Sequence, residues 1–279
     1  MTVTIDHVGV YAADTRAMKD QLTYQLGQQL TWWLDTEGVD NWWLGWGSDV
    51  TVHVMPWLYP HEIEYQEKFG TVFNHVAVHM ADIGPYCDQL DALGLELLYR
   101  EVHADQQLAL YLGRSNEILE LIAMEPSIID PPSPGTLADQ SVLWPQWVNV
   151  VCDDVDATAA VWTDVLDMAI VGRSASGASA YVADKRLDDE AHAFVVRFVG
   201  RGDWTERERA WFDEKGPGMQ ALCYTAADAA AAFAAAADRG MPVGEQFENG
   251  TGWFVDDDGH ELRVDQRLPF DQLIAALAS

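Results

Sequence analysis

Lysine is nearly missing from this 279-residue chain: it occurs only at Lys19, Lys68, Lys185 and Lys215, and 45 acidic side chains face 16 basic ones for a formal net charge of −29. A charge of that sign and size repels phosphate backbones and anionic lipid surfaces, so neither nucleic acid nor a membrane is expected as a partner. Cysteine is equally scarce. Cys87, Cys152 and Cys223 form an odd set without paired spacing, which argues against a disulfide framework or a thiolate metal cage and leaves small core side chains as their role. No apolar run approaches the roughly 20 residues needed to cross a bilayer. The opening Met1-Thr2-Val3-Thr4-Ile5 has neither the basic region nor the apolar core of a signal peptide, so a cytoplasmic setting is expected.

What is present is apolar and aromatic. An apolar fraction of 49% and twelve Trp describe a packed globular protein. At roughly 100–200 residues per domain, the length favours two domains. Six of the Trp (Trp32, Trp33, Trp42, Trp43, Trp46 and Trp57) crowd into the first quarter, as stacking surface for a ring-shaped ligand or, at least as often, as core or dimer surface.

One stretch organises the rest. Phe73-Asn74-His75-Val76-Ala77-Val78-His79-Met80-Ala81-Asp82 has relatives at Ile5 to Asp14, Val148 to Asp156 and Gln220 to Asp228. Aligning the last Asp of each places His7, His75, Asn149 and Ala221 in one register, with 68, 74 and 72 residues between successive copies. A period that long is a structural module. Each copy opens with an apolar strand, continues into a helical pattern (Thr15 to Gly27, Ile83 to Leu93, Asp156 to Leu166, Ala226 to Arg239) and ends in about three short strands. The proline-rich stretch around Asp130 to Gly135 marks a linker, so we expect an N-terminal pair of modules over 1–128, a linker over 129–143 and a C-terminal pair over 144–279. The runs from Lys185 to His192 and from Gly200 to Gly218 read as excursions.

This four-fold βαβββ plan, opening with a histidine at a ligand position in its first two copies, resembles the vicinal oxygen chelate superfamily of glyoxalases, bleomycin-resistance proteins, epimerases and extradiol dioxygenases. The resemblance implies an α+β fold. Modules would pair into curved mixed sheets with helices outside, each pair cupping a divalent metal held by its first and last strands.

On that pattern His7, His75 and Glu120, the last within Ile118-Leu119-Glu120-Leu121-Ile122, would be the metal ligands. Glu117 and Glu125 are the rival carboxylates. Asn149 and Ala221 cannot replace the histidines, and Arg263 stands where the C-terminal pair would need its Glu. Two imidazoles and a carboxylate suit non-haem Fe(II), with Mn(II), Zn(II), Ni(II) or Co(II) as alternatives. By the same resemblance His53 would be the acid–base group, with a fourth metal ligand as its other reading. His103 and Tyr111 would hydrogen-bond the substrate oxygens, as in extradiol dioxygenases. The turn Arg114-Ser115-Asn116-Glu117 departs from the Asp-Pro-x-Gly usual there, and the site lies in the N-terminal pair, not the C-terminal one. Tyr11 and His79 would be pocket wall or, as is more often the case for such residues, structural, and His192 and His260 surface residues.

The implied activity is Fe(II)-dependent extradiol cleavage of a catechol-type aromatic with dioxygen, in a homodimer. A glyoxalase- or epimerase-like isomerase or lyase, and a non-enzymatic small-molecule binder, are the alternatives.

Overall fold

The computed structural model describes residues 3–36, 39–45, 50–70, 72–103, 106–124, 143–184, 194–256 and 258–278. The first half runs β1 (Thr4–Tyr11), α1 (Thr15–Asp20, continued by a π-turn over Gln21–Gln25), β2 (Gln29–Thr36), β3 (Val39–Gly45), β4 (Thr51–Met55), α2 (Pro60–Phe69), β5 (Phe73–His79), α3 (Gly84–Ala92), β6 (Glu96–Val102), β7 (Gln106–Leu112) and β8 (Ile118–Met124). The second half repeats the order: β9 (Trp144–Val151), α4 (Val155–Ala160), β10 (Ala169–Arg173), β11 (Ser179–Ala183), β12 (Val195–Val199), α5 (Glu206–Lys215), β13 (Gly218–Ala226), α6 (Ala229–Asp238), β14 (Val243–Gln246), β15 (Gly252–Val255) and β16 (Glu261–Gln266). A last helix, α7 (Phe270–Ala278), follows.

Each half folds into one eight-stranded mixed sheet, ordered β2-β3-β4-β1-β5-β8-β7-β6 and β10-β11-β12-β9-β13-β16-β15-β14. The α+β, paired-module architecture that the resemblance implies is therefore the fold. Within each sheet the first strands of the two modules run antiparallel at the centre, while each lies parallel to the last strand of its own module. Four strands that are distant in sequence thus become neighbours.

Local signals explain why these segments start where they do. Asp14, Asp154 and Asp228 cap α1, α4 and α6 by accepting from the backbone N–H three residues on, which satisfies donors that a helix start leaves unpaired. The caps also correct the sequence register. Asp154, not Asp156, is the counterpart of Asp14, so the residue equivalent to His7 is Trp147, and Asn149 corresponds to Gly9.

Alternation along the strands divides each sheet into a helix-facing side and a cup. Val8, Val10, Val76, Val78, Leu119 and Leu121 join the helices in a core that continues into the second half. Helix-side contacts tie the halves together: Arg239 donates to the Gln25 carbonyl, Ser115 Oγ lies 2.8 Å from Thr158 Oγ1, and Trp162 Nε1 donates to Glu117. The three cysteines are free and buried, as expected of core residues. Of the expected linker only Leu143 lies within the described residues; it is fully buried and its carbonyl accepts from the Gln28 side chain. The Lys185 to His192 excursion lies outside them. Among the described residues no helix is long and apolar enough to cross a membrane.

Candidate metal centre

The cup of the first sheet is built on β4, β1, β5 and β8. Cross-strand register places His7 opposite Ala77 and Ala77 opposite Glu120, while Gly9 lies between His53 on one side and His75 on the other. Residues paired across a ladder share a face. His7, His53, His75 and Glu120 therefore converge from four strands, and all four are at least nine-tenths buried.

Three of them meet at one point. His7 Nε2 is 3.1 Å from His75 Nε2 and 3.1 Å from Glu120 Oε2, and His75 Nε2 is 2.9 Å from the same oxygen. Adjacent donors on an ion with bonds of about 2.0–2.2 Å stand about 3 Å apart, so this triangle has the size of one face of a coordination octahedron. Outside the triangle, Asp6 Oδ1 lies 2.7 Å from His7 Nδ1, the contact that fixes a ligating imidazole with Nε2 forward. The residues present fit a divalent metal.

Space for the triangle comes from a missing side chain. A Cβ at Gly9 would stand 1.7 Å from Cε1 of the His75 ring, so the imidazole occupies the volume that any other residue at position 9 would fill. Next to it β5 carries a bulge, with one extra residue between the pairs Gly9–His75 and Val10–Phe73, which brings His75 round to the cup.

His53 stands apart from the triangle. Its donor atom lies within 4.8 Å of those of His7 and His75, yet neither ring nitrogen has a hydrogen-bond partner among the described residues. Its ring stacks on Trp43, centroids 3.8 Å apart and planes 12° from parallel. Burial, then the neighbouring His7 and His75, push its pKa well below the usual imidazole range, so it stays neutral with a lone pair available. In the triangle, burial works against charge on His7, but Glu120 and Asp6 outweigh it and hold the imidazole up to about 9. Burial lowers His75, and the two histidines hold Glu120 well below the carboxylate range against its own burial.

The other expected substrate contacts are elsewhere. Tyr111 pairs with Leu119, on the helix side of the sheet, and its hydroxyl donates to Asp91 Oδ1 at 2.9 Å. Leu110, not Tyr111, is in register with Glu120. The hairpin between β7 and β8 fixes that parity, and a residue nine before Glu120 falls on the wrong face. His103 is exposed at the end of the β6–β7 hairpin, with Nε2 2.5 Å from Glu101 Oε1. Neither residue reaches the cup in this structure.

Of the rival carboxylates, Glu117 is fully buried between the halves, where Ser115 N–H and Trp162 Nε1 donate to it, and Glu125 lies outside the described residues. His79 bonds the Met124 carbonyl at the strand end. Tyr11 does face the cup side, in a buried cluster with Tyr65, Leu110, Ile118, Trp57 and Tyr99. Of the Trp cluster, Trp46 lies outside the described residues. So does His192. His260, expected on the surface, is buried, its Nδ1 2.7 Å from Asp256 Oδ2 and its ring packed on Phe73. Asp6, Gly9 and Glu62 escaped the sequence reading, and Trp43 entered it only as one member of the tryptophan cluster. Gly9 carried the clearest signal, a glycine two residues beyond His7 on the ligand face.

The second sheet keeps the geometry and loses the ligands. Trp147, Arg197, Ala221 and Arg263 occupy the places of His7, His53, His75 and Glu120. Arg197 and Arg263 stack on Trp147, Glu208 pairs with Arg197, and Asp265 with Arg263. Leu273 of α7 belongs to the same buried cluster as that tryptophan.

By sequence, residues 144–264 match the Glyoxalase/Bleomycin resistance protein/Dioxygenase superfamily, so the recognised half is the one without the histidines. No curated protein matches the chain. Among solved structures, a triple mutant of 4-hydroxymandelate synthase from Streptomyces coelicolor superposes with a TM-score of 0.65 at 15% identity, covering 99% of this chain and 97% of that one. The 2,3-dioxygenase LapB from Pseudomonas sp. KL28 gives 0.62 at 13% identity, over 96% and 93%. For 2,2′,3-trihydroxybiphenyl 1,2-dioxygenase from Sphingomonas wittichii strain RW1 the values are 0.58 and 13%, over 96% and 91%. These likenesses are of fold. The family match by sequence thus covers the second half, and the likeness to solved structures, which is one of fold, runs over the whole length.

Proposed function

We propose that this chain is a metal-dependent enzyme whose N-terminal cup holds Fe(II) through His7, His75 and Glu120 and cleaves a catechol-type aromatic in the extradiol manner. The observation that carries this reading is the donor triangle, with sides of 3.1, 3.1 and 2.9 Å. Two neutral imidazoles and one carboxylate leave a divalent ion with one net positive charge and up to three open positions, enough for a bidentate substrate and dioxygen. Ferrous iron, when bound, supplies Lewis acidity and the electrons through which an aromatic diol and dioxygen react.

The chain's own groups do the rest. His53, neutral, buried and held face-on by Trp43, accepts the proton of the second substrate hydroxyl and returns it later. Leu110 and Ile118, on the ligand side of the sheet, keep water from the reacting face. The partners required are a small aromatic and dioxygen, in a cytoplasmic homodimer.

Leu110 favours a second reading. An aliphatic side chain stands in register with Glu120 where a substrate-oxygen donor was expected, and His53 is near enough to serve as a fourth ligand. Four protein donors leave two positions, which suits a glyoxalase- or epimerase-like isomerase or lyase around Zn(II), Ni(II) or Co(II). Anaerobic reconstitution with iron, then oxygen uptake over a panel of catechols, tests the first reading. Oxygen consumption with a yellow ring-fission product supports it; an iron-loaded protein that consumes no oxygen with any catechol overturns it.

A further inference from the structure

The two halves repeat one another down to the helix that crosses each cup. Helices α2 and α5 are both ten residues long, both carry Glu at their third position, and both end on a glycine with positive φ, Gly70 at 77° and Gly216 at 79°. In α5, Glu208 divides its two oxygens. Oε2 accepts from the Thr205 backbone N–H, closing the helix start, while Oε1 reaches into the cup and accepts from Asn149 Nδ2 at 3.2 Å and Arg197 Nη1 at 3.1 Å.

Glu62 is the counterpart of Glu208. Its Oε2 accepts from the backbone N–H groups of Leu58 and Tyr59 at 2.7 and 2.9 Å, and among the described residues no hydrogen bond falls on Oε1. The residues equivalent to Asn149 and Arg197 are Gly9, which has no side chain, and His53, whose nitrogens have no partner. Where the second half joins Glu208 to Asn149 and Arg197, the first half has Glu62, Gly9 and His53 at the equivalent places and makes neither bond among the described residues. Glu62 is 3% exposed, and its charge and that of Glu120 act on each other. An oxygen of this largely buried carboxylate that no donor among the described residues engages is placed to accept one from a ligand.

Resting on the reading of this cup as a site for oxygen-chelating substrates, we propose that Glu62 is a substrate-contacting residue: Oε1 accepts a hydrogen bond from a hydroxyl that the substrate carries beyond its two chelating oxygens. With two carboxylates in one cup, the ligand class it selects is neutral and donor-bearing, and anionic chelators are disfavoured.

The test uses the full chain loaded anaerobically with Co(II), and titrates catechol, pyrogallol and 3,4-dihydroxybenzoate by calorimetry. The wild type binds pyrogallol about tenfold tighter than catechol, and 3,4-dihydroxybenzoate more weakly than either. Glu62→Gln, which keeps an oxygen for the helix cap, loses the pyrogallol preference, leaves catechol affinity within about twofold, and gains affinity for 3,4-dihydroxybenzoate. Unchanged affinities for all three in Glu62→Gln, with an unaltered melting temperature, overturn the proposal. If none of these phenols binds the wild type, the catechol reading fails on its own. Acetohydroxamate and glycolohydroxamate, bidentate oxygen ligands differing by one hydroxyl, then decide on Glu62: equal affinity for the two in the wild type overturns its role.

Discussion

Gly9 lies directly across the β1–β5 ladder from His75, and the imidazole fills the space a Cβ at position 9 would need, 1.7 Å from Cε1. A single methyl group therefore decides whether β5 can present its ligand. Gly9→Ala is expected to push His75 off the triangle, weakening metal binding at least about tenfold, with a stability cost of about 1–3 kcal/mol from overpacking. Equilibrium dialysis against Co(II), with a melting curve alongside, checks both.

His53 separates the two chemical readings. As an acid–base group it is dispensable for holding the ion, so His53→Ala should keep one metal per chain and lose about 10²–10⁴-fold in turnover. As a fourth ligand it is not, and the same variant would lose metal affinity. Metal content measured beside activity on one preparation distinguishes them.

Tyr111 and His103 should be silent in catalysis, since one faces Asp91 across the helix-side core and the other is exposed. Tyr111→Phe is expected to leave kcat unchanged and to cost about 1 kcal/mol of stability through the lost hydrogen bond. A large fall in kcat in either Tyr111→Phe or His103→Ala would restore them to the site.

Glu117, sealed between the halves, gives the fold a pH dependence. Burial raises its carboxyl from the usual 4.5 to about 7, against which the donors Ser115 N–H and Trp162 Nε1 work only in part. A raised carboxyl binds its proton more tightly folded than unfolded. Its contribution is therefore complete below pH 4.5 and lost as pH rises towards 7, on the order of 3 kcal/mol in all. Glu117→Gln, which cannot ionise, should flatten that decline in denaturant-unfolding free energies measured between pH 5 and 8.

Much of this was legible in the sequence because it is written four times. The strand–helix–strands plan repeats with capping aspartates, and hydrophobic alternation fixes which face each strand buries. His7, His75 and Glu120 were readable as a set because each sits on an otherwise apolar strand, where an unpartnered polar side chain would be costly. What was not legible depends on register across strands. Tyr111 sits one residue out of phase with Glu120, a difference set by the length of the β7–β8 hairpin. Aligning the last Asp of each copy sets Asp156 against Asp14 and so Asn149 against His7, whereas the capping residue equivalent to Asp14 is Asp154. Glu62 belongs to a helix between modules, and only the juxtaposition of α2 with the cup gives its carboxylate a meaning beyond capping.

The most direct test of the metal site is the metal content of anaerobically reconstituted wild-type protein and of His75→Ala, purified side by side and analysed for bound iron. One equivalent per chain in the wild type and less than about a tenth of that in the variant is the expected result. A His75→Ala protein that retains a full equivalent, or a wild type that takes up none, would contradict the account.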